Sequence, residues 1–183
     1  MRRSFVAEAL TLFATTTPDS RRLLYDHAFH AGNYADVVKH TVLIQLLRRM
    51  QRKSSPMTYV ETHAGAGAYP LRSPQSRTLA EHEQGIALLE RGARSTTGEE
   101  GAARVEPSAD QLLALMERLS EDSDEGLVYP GSPVVASSLC REEDSLLFCE
   151  KEPGPFERLR RVLGDDKRVT LLNDNGYATM LLC

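Results

Sequence analysis

Short apolar runs alternate with helix-like segments along this chain, and this alternation restricts the fold more than any other feature. Met57–Glu61, Ser145–Cys149 and Val169–Leu172 are short and rich in the apolar and β-branched side chains typical of strands. Pro133–Leu139 and Pro155–Leu163 have helical patterns and separate the later strands. This order predicts an α/β fold, with a parallel sheet and crossover helices. Three strands are fewer than a doubly wound sheet usually contains.

Two further regions are predicted to be helical. Asp36–Arg52 carries a broad apolar face with basic side chains away from it. The segment from about 74 to 125 is polar, with predicted helices at Leu79–Arg91 and Ala109–Leu119. Gly92–Pro107 lies between them, lacks apolar periodicity and is predicted to be a surface loop.

The composition excludes several classes of protein. A length of 183 residues suits one domain with its own core, and a net charge of −4 argues against an overall cationic nucleic-acid binder. A local basic cluster remains at Arg48–Lys53. The three cysteines are too few and too scattered for a disulfide framework. No apolar run approaches the roughly 18 residues of a membrane span, so no integral membrane protein is expected.

The first 22 residues differ from the rest. They contain four arginines and a run of threonines at Thr15–Thr17, which is typical of an organelle transit peptide. Glu8 and Asp19 argue against that reading, and Phe5–Phe13 fits a short helix equally well. Residues 1–22 are therefore interpreted as a leader that is either disordered or a transit peptide.

Polar residues follow each predicted strand at its carboxyl end. The first strand runs into a glycine turn, Ala64–Gly67, where the backbone can approach a nucleotide closely. Glu150 ends the second strand, where a carboxylate can hold ribose hydroxyls, and Asn173–Gly176 follows the third. Taken alone, the glycine turn is explained equally well as an ordinary tight turn. A solvated strand-end side chain is the better explanation for Glu150 alone, and a turn of good turn formers is the better one for Asn173–Gly176 alone. Together they lie where open α/β sheets bind ligands, which favours a nucleotide-type site.

A histidine-rich segment precedes the first helix. His27 and His30, with His40 and His63, could suggest a metal site, but their spacing is a weak signal for one. Tyr25 with the nearby Lys39 combines a stacking ring with a cation, which is the chemistry used on unpaired RNA bases. A packed aromatic arm is the alternative.

Four strings of residues closely resemble the bacterial large-subunit ribosomal RNA adenine methyltransferases of the J type. They occur in the family's order: HAFHAGNYADVVKH at His27–His40, THAGAGAY at Thr62–Tyr69, YPGSP at Tyr129–Pro133 and REEDSL at Arg141–Leu146. The first string is long and seldom met elsewhere, and the resemblance covers about Leu24 to Gly176.

The resemblance implies a class I S-adenosylmethionine-dependent methyltransferase (Rossmann-like) fold, of which this chain would be the N-terminal part. Residues 23–183 would form that incomplete domain, with a helical insertion at about 74–125 after the first strand. The implied activity is N6-methylation of an adenine in 23S rRNA. The implied cofactor contacts are His40, His63, Ser132, Glu150, Asn175 and Gly176, and the implied substrate-side residues are Tyr25, His27 and Lys39. The family usually has Asp-Gly where this chain has Asn175-Gly176, which departs from the pattern at the adenine end.

The family's catalytic loop is an Asp-Pro-Pro-Tyr motif after the fourth strand. Its carboxylate and a backbone carbonyl accept hydrogen bonds from the adenine amine, and its aromatic ring stacks on the flipped base. This sequence contains no such string, and Pro153–Phe156 is not equivalent because it follows the second strand. The chain is therefore predicted to contain no catalytic residue and to be inactive alone.

Three hypotheses follow for this chain. It is an incomplete sequence of an rRNA methyltransferase, a short relative that binds cofactor or RNA without turnover, or a fragment from an incomplete gene model. The expected cofactor is S-adenosylmethionine and the expected partner is 23S-type rRNA, with no metal, no membrane and a monomeric state. The expected location is the cytoplasm, or an organelle if the leader is a transit peptide.

Overall fold

The computed structural model describes residues 25–95 and 106–181. The predicted leader and the larger part of the predicted Gly92–Pro107 loop lie outside these residues. No helix in the described ranges is long and apolar enough to cross a membrane.

The described residues contain one parallel and one antiparallel sheet. In chain order the strands are β1 (Thr58–Glu61), β2 (Ala68–Pro70), β3 (Val128–Pro130), β4 (Ser145–Cys149) and β5 (Val169–Leu172). The parallel sheet has the order β1-β4-β5, with Thr58 opposite Ser145 and Leu146 opposite Val169. These are the three strands predicted from the sequence, with only the first beginning one residue later.

Seven α-helices accompany the strands within the described ranges. They are α1 (Tyr34–Met50), α2 (Pro74–Leu79), α3 (Ile86–Ser95), α4 (Pro107–Glu121), α5 (Ser132–Leu139), α6 (Pro153–Leu163) and α7 (Gly176–Met180). Asn33 caps α1, because its side chain accepts a hydrogen bond from the Asp36 N–H at 2.9 Å. Proline lies in the first turn of α5 and of α6, where its missing N–H has no cost.

The core lies between the parallel sheet and helices α1, α5 and α6. Leu146 and Phe148 of the central strand β4 are almost fully buried. Ile44 of α1, Val135 of α5 and Leu159 of α6 are buried in the same cluster. α1 also packs against α4, which ties the α2–α4 region to the rest of the fold.

The sequence did not indicate the β2–β3 pair. Each strand has only three residues, and Ala68 pairs with Pro130 across a long stretch of chain. Both strands are fully buried, and Tyr69 pairs with Tyr129. Such a pair has no local sequence signal because its partners are far apart along the chain.

The prediction of one helix at Leu79–Arg91 is wrong. The structure has α2, then a 3₁₀ turn at Glu81–Gln84, then α3. Ala80 ends α2 in the left-handed conformation at φ 49°, which breaks the helix. α3 continues to Ser95 and α4 begins at Pro107, so both ends of the predicted Gly92–Pro107 loop are helical.

Gly85 lies directly against the backbone of the segment before α1. A Cβ at Gly85 would lie 2.2 Å from the Gly32 carbonyl oxygen and 2.4 Å from the Asn33 carbonyl carbon. The Ile86 N–H also donates to the Gly32 oxygen at 2.9 Å. No flexible side chain is available there to move aside, so the backbones themselves must separate if a side chain is added.

We expect Gly85→Ala to destabilise the protein by about 2–3 kcal/mol, the usual cost of overpacking against a rigid neighbour. Gly92→Ala is the matched control, because a Cβ there meets nothing within 4 Å and it lies inside α3. That variant should be neutral or more stable by up to about 1 kcal/mol, through helix propensity. Urea unfolding of both variants measures the difference, and equal stabilities would contradict the close-contact argument.

Candidate cofactor and substrate site

One cavity of about 610 Å³ opens at the carboxyl ends of the three parallel strands. Such a volume is typical of a small-molecule site. All nine residues predicted as cofactor or substrate contacts line it: Tyr25, His27, Lys39, His40, His63, Ser132, Glu150, Asn175 and Gly176. Residues that are up to 151 positions apart in the sequence are therefore brought to one place.

The glycine turn after β1 is held by the carboxylate at the end of β4. Glu150 accepts hydrogen bonds from the Gly65 N–H at 2.8 Å and from the Glu152 N–H at 2.8 Å, one on each oxygen. Gly65 has φ 66°, and a Cβ there would lie 2.3 Å from the Tyr69 hydroxyl. Each carboxylate oxygen has a further lone pair, so Glu150 can still accept from ligand hydroxyls.

His63 and Tyr177 form the opposite wall. The His63 ring is exposed, contacts the Thr62 hydroxyl at 2.9 Å through Nδ1, and meets the Tyr177 ring edge-on at 4.8 Å between centroids. Asn175 caps α7, with its side-chain oxygen accepting from the Tyr177 N–H at 3.0 Å. The start of α7 packs against the end of β1, where Gly176 lies next to Thr62, and Asn175 and Gly176 both border the cavity.

His40 lies at the floor of the cavity, almost fully buried. Its Nδ1 shares a hydrogen bond of 2.8 Å with the Tyr129 hydroxyl, and its ring is stacked on Tyr129. Its Nε2 has no hydrogen-bond partner among the described residues. Burial, together with the nearby Lys39 charge, lowers the pKa of His40 to about 3, so the imidazole is neutral at physiological pH. A buried polar atom of this kind is costly unless a ligand or water pairs with it.

Ser132 is the first residue of α5, and its hydroxyl donates to the Glu61 carboxylate. The Tyr59 hydroxyl reaches the other Glu61 oxygen at 3.3 Å. Burial raises the pKa of Glu61 to about 7, against the opposing effect of these two hydrogen bonds. Ser132 therefore lies between the cavity and a carboxyl group that titrates near neutrality.

We expect Glu61→Gln to remove a pH dependence of stability. The folded pKa of about 7 exceeds the ordinary value of 4.5, so the unfolded chain loses its proton first as pH rises. Wild-type stability should therefore fall, through this group, between pH 4.5 and 7, whereas the Gln variant cannot titrate there. The free energy of unfolding of the variant, relative to that of wild type, should rise by on the order of 2 kcal/mol between pH 4.5 and pH 8. Urea unfolding at both pH values measures this, and a pH-independent difference would contradict it. His40 makes the free energy of unfolding rise with pH, which is the opposite trend, but its effect is the same in wild type and in Glu61→Gln.

A chain of polar contacts organises the substrate-side residues. The Tyr25 hydroxyl lies 2.8 Å from His27 Nδ1, and His27 Nε2 lies 2.8 Å from Asp36 Oδ2. Lys39 donates to the other Asp36 oxygen at 2.8 Å, and the Gly32 N–H donates to Oδ2 at 3.1 Å. Burial alone would raise the pKa of Asp36, but the hydrogen bonds and charges of His27 and Lys39 hold it well below its usual range. Asp36 is thus an ionised, buried carboxylate that positions three cavity residues.

The α2–α4 region contacts the Tyr25–Asn33 segment that carries the substrate-side residues Tyr25 and His27. Glu81, in the 3₁₀ turn, accepts from Asn33 Nδ2 at 3.0 Å and lies 3.0 Å from His30 Nδ1. Tyr25 stacks on His30, with centroids 5.4 Å apart and planes 4° from parallel. The exposed Tyr25 ring is therefore held at the cavity mouth by His30, which stacks on it, and by His27, which bonds to its hydroxyl.

Sequence reasoning missed several cavity neighbours. Asp36, Tyr129 and Tyr177 were not predicted as site residues, although Asp36 and Tyr129 lie inside the motif strings that suggested the family. Arg158 of α6 also lines the cavity and is buried. Within 25–95 and 106–181, no group of three or more His, Cys, Asp or Glu side chains is arranged to hold a metal ion.

Comparisons with known proteins identify the family of the chain. The family model described as "Ribosomal RNA large subunit methyltransferase D, RlmJ" matches residues 54–182. The chain is 37% identical over 155 residues to Ribosomal RNA large subunit methyltransferase J of Haemophilus influenzae, covering 85% of this chain and 52% of that protein. It is 35% identical over 157 residues to the protein of the same name from Escherichia coli, covering 85% and 51%.

A crystal structure of a Legionella pneumophila protein superposes with a TM-score of 0.66 at 28% identity, over 82% of this chain and 51% of that one. The chain thus spans about half the length of the curated relatives it matches. With the parallel sheet and its helices, these matches identify the class I S-adenosylmethionine-dependent methyltransferase fold, as predicted. The chain belongs to the RlmJ family of ribosomal RNA large-subunit methyltransferases.

Proposed function

We propose that this chain forms the S-adenosylmethionine pocket and part of the substrate face of an enzyme that methylates the N6 amine of an adenine in 23S rRNA. The observation that carries the proposal is the convergence of all nine predicted residues on one cavity at the carboxyl ends of β1, β4 and β5. The relatives' printed names specify methylation of large-subunit ribosomal RNA.

The residues present fit the cofactor. Glu150 has acceptor capacity left for ribose hydroxyls, and the glycine turn at Gly65 allows close approach of the backbone. His40 offers a buried Nε2 without a partner in the described chain, which a polar cofactor atom would satisfy. When bound, the cofactor supplies an electrophilic methyl group on a cationic sulfur. The chain's own task is to hold that group in place and exclude water, since positioning supplies a large share of the rate in such transfers.

The substrate side is assigned to Tyr25, His27 and Lys39. Tyr25 presents an exposed ring suited to stacking on a flipped-out base, and Lys39 carries a charge suited to a phosphate. Asp36 fixes both groups directly or through His27. This arrangement supports an RNA substrate over a free small molecule, because the ring and the cation lie at the open mouth.

The sequence holds no Asp-Pro-Pro-Tyr string, so we propose that this chain alone binds the cofactor but transfers no methyl group. The same observation favours a second candidate function, a binding module without turnover. We propose a monomer with one domain over 23–183, an insertion at about 74–125 and a leader over 1–22. Its place of action would be wherever its rRNA lies, the cytoplasm of a bacterium or an organelle.

Titration calorimetry with S-adenosylmethionine and the full chain tests the proposal. We expect saturable binding that His63→Ala weakens at least tenfold, because His63 lines the cavity. His82→Ala is the matched control, since His82 lies in the α2–α4 region away from the cavity and bonds Ser76. An unchanged affinity in His63→Ala would refute the pocket assignment. Tritium transfer from labelled cofactor to naked 23S rRNA should be undetectable, and clear turnover would refute the binding-only assignment.

A further inference from the structure

The α2–α4 region contains none of the nine predicted contacts, yet it packs closely on the substrate side of the cavity. Helix α2 contacts the 3₁₀ turn at His27–Phe29. Ile86 of α3 is fully buried in the same core cluster as Ala28 and Ala31. The region is therefore placed to fix the conformation of the Tyr25–Asn33 segment, and a role for it in the reaction has to be sought there.

Glu81 links this region to the segment through both oxygens of its carboxylate. One oxygen accepts from Asn33 Nδ2 at 3.0 Å, and the other lies 3.0 Å from His30 Nδ1. The hydrogen bonds from Asn33 and His30 lower the pKa of Glu81, so the carboxylate is ionised at neutral pH and can only accept. His30 must then carry a proton on Nδ1 and donate it to this bond. The contact thus fixes both the proton position and the rotation of the His30 ring.

The His30 ring lies against one face of the Tyr25 ring. The two planes are 4° from parallel with centroids 5.4 Å apart, which is an offset stack and a favoured arrangement of aromatic rings. Tyr25 is 73% exposed and lines the cavity. Because His30 covers only one face of the ring, the other face is available to a base. A base bound there would extend a stack whose orientation depends on Glu81.

The two histidine contacts of Tyr25 have different effects. His27 bonds to the Tyr25 hydroxyl at 2.8 Å, and its ring is tilted by 42° from that of Tyr25. A hydrogen bond at the hydroxyl fixes that end of the side chain but leaves the ring free to rotate about its long axis, because this torsion has only a broad preference. The stack on His30 fixes the plane of the ring. Glu81, which holds His30, therefore determines the plane that Tyr25 presents at the cavity mouth.

We propose that Glu81 is a positioning residue for RNA binding, which acts through His30 to hold the Tyr25 ring in the plane on which an unpaired base stacks. The α2–α4 region thereby sets the affinity for the substrate base from outside the cavity. This inference rests on the proposed function, since it takes Tyr25 as an RNA contact. A ring that is fixed before binding loses less conformational freedom when the base arrives, so fixing it raises the affinity.

Fluorescence titration of the full chain with a short oligouridine that carries one central 2-aminopurine tests the proposal. This adenine analogue loses emission when it stacks on an aromatic ring. We expect Tyr25→Ala to weaken binding about tenfold or more, and Glu81→Ala about fivefold with less quenching. Glu81→Gln should stay within about twofold of wild type, because its amide can accept from Asn33 and donate to Nδ1 of the other His30 tautomer. Glu83→Ala is the matched control, since Glu83 is an exposed carboxylate of the same 3₁₀ turn, and it should bind like wild type.

Two further measurements separate positioning from a structural role. If Glu81 acts through His30, Glu81→Ala should cause no further loss of affinity in a His30→Ala background, whereas an effect through the Asn33 cap of α1 would persist there. Nitrogen chemical shifts of the imidazole should place the His30 proton on Nδ1 in wild type and on Nε2 in Glu81→Gln. Thermal midpoints of the variants should match that of wild type, because the Glu81 side chain is 36% exposed.

The possible failures are distinguishable. Wild-type affinity in Glu81→Ala, an equal loss in Glu83→Ala, a further loss in the His30→Ala background, or a wild-type His30 without a proton on Nδ1 would each overturn the positioning role while leaving the RNA site in place. Equal affinities of wild type and Tyr25→Ala would instead refute the substrate side of the proposed function, and the positioning role with it.

Discussion

Gly176→Ala is expected to lower the affinity for S-adenosylmethionine about a hundredfold or more. A Cβ at Gly176 would lie 2.1 Å from the Thr62 carbonyl oxygen and 2.6 Å from the Thr62 Cα. These are backbone atoms, so either α7 must move away from the end of β1 or the Thr62–Gly65 turn must shift. Both sides of that contact line the proposed pocket, and a shift that breaks two hydrogen bonds to the ligand, at about 1.4 kcal/mol each, lowers the affinity about a hundredfold.

Gly154→Ala is the control for this variant. Gly154 lies in the first turn of α6, close to the cavity, but a Cβ there meets only the Arg158 guanidinium at 3.8 Å. Calorimetry should give an affinity within about threefold of wild type for Gly154→Ala. A folded Gly176→Ala protein with wild-type affinity would show that the cofactor does not use the gap between β1 and α7. Thermal unfolding of both variants keeps binding and folding effects apart.

The strands and the edge that carries the site were predictable from the sequence. β4 and β5 have the bounds expected from Ser145–Cys149 and Val169–Leu172, because each is a continuous apolar run between turn residues. Parallel strands present their carboxyl ends on one side, so Glu150 and Gly176 had to lie near the glycine turn. The roles of His40 and Ser132, however, came from the family resemblance, since neither follows a strand that the sequence made visible.

What could not be predicted depends on contacts between distant segments. The break at Ala80 and the approach of Gly85 to Gly32 follow from packing of the α2–α4 region on the turn before α1. The helical periodicity of apolar residues does not indicate this packing. Tyr129 bonds to His40 across 89 positions, through a strand too short to recognise. Asp36 is similar. Its position inside the first turn of a helix suggests a favourable helix dipole interaction, whereas its burial and its partner His27 depend on how the preceding chain folds back.

Asp36→Asn should therefore lower the stability of the protein far more than the position of Asp36 in a first helical turn suggests. The carboxylate accepts hydrogen bonds from His27, Lys39 and the Gly32 N–H while almost fully buried. Asparagine keeps one acceptor oxygen and adds a donor, so it cannot serve all three, and it removes the charge that pairs with Lys39. A hydrogen bond to a charged group contributes about 1.5–3 kcal/mol to stability, and the substitution weakens or removes at least one of the three. We expect a loss of that size in urea unfolding at pH 7, with faster amide exchange through the Tyr25–Asn33 segment.

The pH dependence distinguishes this ionic role from simple loss of packing. The pKa of Asp36 is held below its ordinary 3.8, so its contribution to stability is complete above pH 3.8 and is lost as pH falls through the folded value. The difference in free energy of unfolding between wild type and Asp36→Asn should thus be constant from pH 7 to about pH 4 and become smaller below pH 4. Asp26→Asn is the matched control, because the Asp26 side chain caps the 3₁₀ turn by accepting from the Ala28 N–H at 3.0 Å, and asparagine caps about as well, so this variant should stay close to wild type in stability. Equal losses in the two variants would mean that Asp36 is no more than a second cap. A large loss at Asp36 alone would show that one buried carboxylate holds Tyr25, His27 and Lys39 at the mouth of the cavity.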